Sequence, residues 1–267
     1  MVQWRVQDQV IVVTGASKGI GFGAAQCLIQ RGARVALLAR NAERLQRAVA
    51  ELNGELSDER AFGIAVDVCD KNAMSDALQR VRQRWGRFDG IVNNVGFQFV
   101  RRVEDMPPDE VRRMVELNFI GTVFGCQSAI PLLRKNGGGR IINITSSSVR
   151  DRNEFAHIAI YSACKAAVDF FTTELRDEVR ADNILVTLFS SGSVFTGSIE
   201  NFDPQATQLA LAAWKDKGTY YGGSTTPEIM GEAIAQCFEY PPTVAPEFIE
   251  VKTGQRIVKE LESIPTA

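Results

Sequence analysis

The sequence has little of what metal-binding, disulfide-stabilised and membrane proteins require. His157 is its one histidine, and no Cys-x-x-Cys pair is present, which argues against structural zinc and against a disulfide framework. No run approaches the ~18 apolar residues of a membrane span, and the first strand-like run starts too early to follow a cleavable leader. We therefore predict a soluble, cytoplasmic protein without a metal site. Its five scattered cysteines are Cys27, Cys69, Cys126, Cys164 and Cys237.

An excess of charge of one sign is also lacking. The chain has 30 Lys and Arg against 32 Asp and Glu, a formal net charge of -2, so no basic field is available to hold nucleic acid. We expect neither a nucleic-acid nor a membrane partner. With 267 residues and 45% hydrophobic content the chain can bury a large core, and we expect a single domain over residues 1–267.

Short apolar runs alternate with segments of helical periodicity along the chain. This alternation predicts an α/β fold with a doubly wound parallel sheet. Residues 190–226 break the pattern, because Gly, Ser and Thr mix there with aromatic residues, and we predict that this irregular insert is a substrate lid. The predicted strands are residues 10–14, 35–38, 62–66, 90–92, 141–144, 184–189 and 248–251.

The first predicted strand leads into a glycine-rich turn with the sequence Thr-Gly-Ala-Ser-Lys-Gly-Ile-Gly. Gly15, Gly19 and Gly21 follow a strand and open a helix, which is the context that dinucleotide binding requires. Glycines let the pyrophosphate approach the positive end of the helix. The spacing is G-x-x-x-G-x-G rather than G-x-G-x-x-G. The turn therefore predicts a nucleotide site that is a variant of the usual dinucleotide fingerprint.

Tyr161 and Lys165 are spaced to lie on one face of a predicted helix, one turn apart. A free phenol has a pKa of ~10 and is a poor acid or base at neutral pH, but a fixed ammonium nearby lowers that value. We therefore expect Lys165 to lower the pKa of Tyr161. The pair predicts proton transfer to or from a substrate oxygen.

Together these motifs resemble the short-chain dehydrogenase/reductase family, whose classical members carry TGxxxGIG and NNAG motifs. Here the second motif is Asn93-Asn94-Val95-Gly96, with valine in place of alanine. The resemblance covers nearly the whole chain and is strongest over its first 190 residues. It implies a Rossmann-type fold and an oxidoreductase that interconverts an alcohol with a ketone or aldehyde by hydride transfer at a nicotinamide.

The resemblance also implies the catalytic residues. Tyr161 is then the general acid or base, Lys165 holds the ribose and tunes the tyrosine, and Asn118 holds a water that links Lys165 to solvent. Ser146 orients the carbonyl if the strand pattern is matched to the family. Counting back from Tyr161 selects Ser148 instead, and we favour Ser146 because a sheet positions strand ends while loops absorb insertions.

The end of the second strand bears on which nicotinamide is used. Ala39-Arg40-Asn41 has no acid to accept bonds from a free ribose, and Arg40 with Lys18 can pair with a 2′-phosphate, so NADP(H) is favoured. The alternative is that Arg40 is an ordinary solvated arginine. The expected cofactor-binding residues are Gly15, Ser17, Lys18, Gly19, Ile20, Gly21, Arg40, Asn41, Asp67, Val68, Asn94, Gly96, Tyr161, Lys165, Gly192, Val194 and Thr196.

The resemblance further implies a homodimer or homotetramer built on the helices that bear Asn118 and Tyr161. One departure from the family affects the ring-binding loop, since Ser191 stands where the family has proline before Gly192. The substrate is expected to be a small molecule in a partly apolar pocket. Candidate walls of that pocket are Phe97, Phe99, Phe155, Phe195 and Tyr221.

Three other functions fit parts of the sequence. Residues 15–19 read Gly-x-Ser-x-Gly, the pattern of a hydrolase nucleophile, but several strands precede the nucleophile in that fold and only one does here. A non-catalytic NADP(H)-binding sensor or scaffold is the second, although the four catalytic positions are complete. The third is a 3-oxoacyl-carrier reductase of the same family, whose usual Val-x-Gly-Gly ending is absent.

Overall fold

A computed structural model describes residues 6–54, 58–151, 155–194, 196, 202–216 and 224–253. Its centre is one parallel sheet of seven strands in the order β3-β2-β1-β4-β5-β6-β7. Each predicted strand is present, within two residues at either end, and the doubly wound Rossmann-type fold is confirmed. The strands are β1 (Val10–Thr14), β2 (Arg34–Ala39), β3 (Ala61–Ala65), β4 (Gly90–Asn93), β5 (Gly139–Ser146), β6 (Ile184–Ser191) and β7 (Phe248–Val251).

Helices cover both faces of this sheet. Strand residues alternate between the two faces, so Ile11 and Val13 pack with α1, α2 and α8, while Val10 and Val12 pack with α3, α5 and α6. All four side chains are fully buried. The helices are α1 (Gly19–Gln30), α2 (Ala42–Asn53), α3 (Lys71–Trp85), α4 (Pro108–Val115), α5 (Gly121–Lys135), α6 (Ala159–Val179), α7 (Pro204–Asp216) and α8 (Pro227–Gln236).

The strand order reverses between β1 and β4, and this switch point positions the candidate site. The chain leaves β1 to one side of the sheet and β4 to the other, which opens a crevice at their carboxyl ends, the place where ligands bind in such sheets. Thr14 ties the two strand ends together. Its Oγ1 accepts hydrogen bonds from the backbone N–H of Asn94 at 2.9 Å and of Val95 at 3.3 Å.

The predicted lid is more regular than its composition indicated. β6 continues to Ser191, and residues 204–216 form the helix α7, so the expectation of an irregular insert is wrong for this part. Val194 pairs with Thr225 in an isolated parallel bridge that joins the two ends of the insert. Phe195 and Tyr221, two predicted pocket walls, lie outside the described residues.

Among the described residues, no helix is long and apolar enough to cross a membrane. The same residues contain no cluster of three His, Cys, Asp or Glu side chains that could hold a metal ion. All five cysteines have free thiols, and four of them are buried.

Candidate active site

The glycine turn forms the floor of the crevice. Gly15 donates its N–H to the carbonyl oxygen of Leu38 at 2.7 Å, and Gly19 has φ +58°, a conformation that suits glycine. α1 begins at Gly19, so the first-turn N–H groups of the helix, those of Gly19, Ile20 and Gly21, have no partner within α1 and suit an anion at this helix end. The cradle is tight, because a Cβ at Gly21 would lie 2.6 Å from Asn94 Nδ2.

The loop after β6 lies against the other side of this turn. A Cβ at Gly19 would lie 3.3 Å from the side chain of Thr196, so this predicted cofactor-binding residue meets the start of α1. Gly192 donates its N–H to the carbonyl oxygen of Val251 at 2.8 Å, which fixes the loop to the end of β7 although proline is replaced by Ser191. The structure thus brings Gly192, Val194 and Thr196 to the crevice.

Asp67 and Val68 lie where the chain leaves β3. Asp67 Oδ1 accepts a hydrogen bond from the Cys69 N–H at 3.0 Å, and Val68 is buried. Asp67 Oδ2 lies 3.9 Å from a guanidinium nitrogen of Arg40 and 3.8 Å from one of Arg113. Arg40 is therefore only weakly paired with Asp67, because this ion pair is long and solvent-exposed and contributes little to stability.

A surface pocket of about 430 Å³ adjoins the glycine turn on the α2 side. The predicted cofactor residues Ser17 and Lys18 line it, but Arg40, the other predicted phosphate contact besides Lys18, does not. Arg44 lines it instead, and no ion pair to its side chain is found among the described residues. The complete lining is Ser17, Lys18, Phe22, Arg44, Arg47, Ala48 and Glu51.

Arg44 is the cofactor-site candidate that the sequence analysis missed. It lies in the first turn of α2, where Asn41 caps the helix by accepting the Arg44 N–H at 2.7 Å. Because the helix dipole favours acidic residues in a first turn, an arginine there is unfavourable for the helix alone. That mismatch is the signal that could have marked Arg44 as a ligand contact.

Asn118 lies in a π-helical segment, Glu116–Ile120, between α4 and α5. Such segments are rare and frequent at functional sites. Its side-chain amide is fully used by the protein, since Oδ1 accepts from the Phe97 N–H at 3.0 Å while Nδ2 donates to the carbonyl oxygens of Phe97 at 2.6 Å and Met114 at 2.9 Å. A Cβ at Gly96 would lie 3.4 Å from Asn118 Oδ1 and 3.3 Å from Lys165 Nζ.

Lys165 is a buried cation, with 2% of its surface exposed. Its Nζ donates a hydrogen bond to the Ile144 carbonyl oxygen at 2.9 Å and lies 5.9 Å from the centre of the Tyr161 ring. Burial disfavours the charged form and lowers the pKa of Lys165 from 10.5 to about 8. The ammonium of Lys165 is thus held in the protein interior at a cost in folding stability.

Tyr161 lies one turn before Lys165 on α6, close to the side chain of Ser146. Removal from water raises the pKa of the phenol, while the nearby Ser146 side chain opposes that rise and Cys164 adds to it. The prediction that Lys165 lowers this pKa is wrong for the protein alone. Desolvation dominates because Lys165 Nζ bonds to the backbone, not to the phenol.

The two candidate serines differ in their surroundings. Ser146 ends β5, and its Oγ accepts the Ser148 N–H at 3.2 Å. Ser148 Oγ is buried and has no hydrogen-bond partner within the described residues. The structure thus brings Ser146, Tyr161 and Lys165 together, with Asn118 behind Gly96.

Comparison with known proteins agrees with this geometry. The model of the short chain dehydrogenase family matches residues 9–207, and the chain belongs to that family. An uncharacterized oxidoreductase of Staphylococcus aureus is 33% identical over 197 residues, which cover 74% of this chain and 83% of the relative. A second uncharacterized oxidoreductase, of Staphylococcus epidermidis, is 34% identical over 199 residues, covering 74% and 84%. The protein is an oxidoreductase of this family.

Solved structures share the fold. An alcohol dehydrogenase from the archaeon Thermococcus sibiricus, complexed with 5-hydroxy-NADP, superimposes with a TM-score of 0.77 at 25% identity, covering 96% of this chain and 100% of that one. L-Sorbose reductase from Gluconobacter frateurii, complexed with NADPH and L-sorbose, gives 0.80 at 24% identity, covering 95% and 98%.

The burial of Lys165 predicts a pH-dependent cost in stability. Lys165→Met is expected to raise the free energy of unfolding at pH 7 by up to about 3 kcal/mol, because a cation whose pKa falls from 10.5 to about 8 is replaced by an apolar chain. Between pH 8 and 10.5 the unfolded wild-type chain binds the additional proton, so wild-type stability rises with pH and the gain from the substitution shrinks.

Urea unfolding at pH 7 and pH 10 measures this gap. Lys135→Met, at the exposed C-terminal end of α5, is the matched control and should show no such gap. A Lys165→Met protein less stable than the wild type at pH 7, or a gain that does not shrink at pH 10, would contradict the account.

Proposed function

We propose that the protein is an NADP(H)-dependent oxidoreductase that interconverts an alcohol and a ketone or aldehyde, with Tyr161 as the general acid and base. The observation that carries this proposal is the grouping of Ser146, Tyr161 and the buried Lys165 near the end of β5, where Lys165 Nζ bonds to the Ile144 carbonyl oxygen. The glycine turn suits the pyrophosphate of a nicotinamide cofactor, because the first-turn N–H groups of α1 have no partner within the helix. When bound, the nicotinamide supplies or accepts the hydride.

The proposed roles of the protein groups follow from their positions. Ser146 orients the substrate carbonyl, and in reduction Tyr161 Oη donates its proton to the carbonyl oxygen. The phenol is protonated at neutral pH, which is the form that reduction requires, and the rise of its pKa on burial makes it a weaker acid in the protein alone. Lys165 holds the ribose, and Asn118 fixes the backbone at Phe97 beside Lys165 and supports the path by which solvent reprotonates the tyrosine.

Removing the phenolic hydroxyl tests the acid. Tyr161→Phe is expected to lower kcat for a carbonyl substrate by roughly 100-fold or more while the Kd for NADPH changes little, because general acid catalysis contributes about 10²–10⁴. NADPH absorbance and fluorescence titration measure the two quantities. Full turnover in Tyr161→Phe would contradict the proposal. Tight NADPH binding with no turnover of any carbonyl by the wild type would favour the sensor or scaffold alternative.

Preference for NADP(H) over NAD(H) rests on positive charge beside the adenosine ribose. Lys18 and Arg44 share the pocket at the glycine turn, and Arg40 approaches from the end of β2, so three cations can reach a 2′-phosphate. Arg47 also lines the pocket, but its guanidinium already bonds to Glu43 at 3.0 Å. This arrangement supports Arg44 as a phosphate contact in addition to the predicted Arg40 and Lys18.

Binding of the two cofactors by variants tests this preference. Arg44→Ala is expected to weaken NADPH about tenfold with little change for NADH, because a charged hydrogen bond contributes about 1.5–3 kcal/mol and exposure reduces it. Arg47→Ala removes the same charge from the same pocket and should alter neither affinity by more than about twofold. Equal losses for NADPH and NADH in Arg44→Ala would remove the phosphate argument.

We also propose a cytoplasmic homodimer or homotetramer built on α5 and α6. Phe170 on α6 supports this interface, because 71% of its surface is exposed in the single chain. The free thiols suit a reducing compartment. Phe170→Glu is expected to shift the protein to a smaller species in light scattering after size-exclusion chromatography. A wild type that is already monomeric, or no change in mass, would contradict the interface.

A further inference from the structure

Tyr161 packs against an apolar group of side chains that joins the lid to the body of the protein. Val100, Ile158 and Ala210 form its buried centre, and Ala210 belongs to the lid helix α7. We call this group the lid cluster. Its members beside Tyr161 are Val100, Phe155, Ile158, Phe202, Ala210 and Trp214.

The indole N–H of Trp214, a polar group in the lid cluster, already has a hydrogen-bond partner. Trp214 Nε1 donates a hydrogen bond to the Ala156 carbonyl oxygen at 2.8 Å, so the indole presents carbon to its other neighbours. The ring of Phe155 meets the Trp214 ring edge to face, with centroids 5.7 Å apart. A ring on a ligand would gain a contact of the same edge-to-face or offset-stacked kind against these side chains.

A cation next to the lid cluster, Arg101, is neutralised by carboxylates. Arg101, next to Val100, forms ion pairs with Glu110 at 2.9 Å and with Asp203 at 3.8 Å. Its backbone N–H bonds to the His157 carbonyl oxygen at 2.9 Å, which keeps this charge group against the cluster. Two carboxylates against one guanidinium leave a net negative charge.

Two further cations at the carboxyl ends of β5 to β7 are also paired. Lys252 bonds to Asp151 and lies 3.2 Å from Glu250. Arg150 bonds to Asp169 at 2.6 Å. An anionic substrate would therefore need to displace an existing carboxylate to pair with Arg101, Arg150 or Lys252, and a buried charge without a partner is costly.

We infer that the substrate is an uncharged carbonyl compound, or the corresponding alcohol, that carries an aromatic or alicyclic ring. The ring would bury apolar surface against the lid cluster, and the carbonyl would reach Ser146 and Tyr161. A carboxylate or phosphate group on the substrate would face Asp203 and Glu110. This inference rests on the proposed reaction and concerns the selection of its substrate.

Four α-keto compounds separate the effect of substrate charge from the effect of a ring on the substrate. Methyl benzoylformate is neutral with a ring, benzoylformate is anionic with a ring, methyl pyruvate is neutral without a ring, and pyruvate has neither property. With NADPH and the full-length protein, we expect kcat/KM for methyl benzoylformate to exceed that for each of the other three at least tenfold.

Each outcome of this comparison decides a separate question. Preference for either acid, or for methyl pyruvate, overturns the inference and leaves the proposed reaction standing. If the protein turns over none of the four compounds but does reduce another carbonyl compound, only the inference is overturned. Failure of every carbonyl tried overturns the proposed reaction as well.

Asp203→Asn tests the charge argument directly. Asp203 caps α7 by accepting the Ala206 N–H at 2.8 Å, and asparagine keeps that cap while removing the charge. The ratio of kcat/KM for the ester over its acid is expected to fall about threefold or more. Asp177→Asn removes one charge at a site 88% exposed on α6 and should leave the ratio unchanged. Equal ratios in the two variants would overturn the charge argument.

Phe202→Ala tests the ring. The substitution is expected to lower kcat/KM for methyl benzoylformate about tenfold and to affect methyl pyruvate less than twofold, while the Kd for NADPH is unchanged. Leu209→Ala, on the outer face of α7 with 60% of Leu209 exposed, is the matched control and should affect neither ester. Equal losses for both esters in Phe202→Ala would overturn the role of the lid cluster.

Discussion

The burial of Lys165 is the constraint on which the candidate site depends. An ammonium in the protein interior is unfavourable, and its pKa falls to about 8 accordingly. The hydrogen bond to the Ile144 carbonyl oxygen attaches α6 to the end of β5, and that attachment brings Tyr161 to Ser146. This cost in stability places a fixed positive charge one turn from Tyr161, where the ribose of a cofactor could lie beside the phenol.

The parts of the fold that depend on local pattern could be predicted from the sequence. The inner strands are buried on both faces and are continuous apolar runs, while the edge strands β3 and β7 are only partly buried but still carry short apolar runs, so all seven were recognisable. The glycine turn was recognisable because its function requires its residues. The lid helix α7 was missed, because neighbouring Gly, Ser and aromatic residues hid its periodicity. Residues 204–216 nevertheless contain the Ala, Leu and Gln that favour a helix.

What could not be predicted depends on contacts between distant parts of the chain. The approach of Arg40 to Asp67 joins the ends of β2 and β3, and nothing local to either residue indicates it. The direction of the Tyr161 pKa needs the desolvation that only the assembled fold provides. The predicted cofactor and catalytic roles stay predictions, although the structure brings their residues to one crevice.

The measurement that tests the central claim most directly is hydride transfer itself. NADPH carrying deuterium at the transferable C4 position would be incubated with the protein and methyl benzoylformate, and the product would be examined by mass spectrometry. The account predicts methyl mandelate with one deuterium on the carbinol carbon. Oxidation of the cofactor without deuterium in the product would contradict direct hydride transfer to the carbonyl.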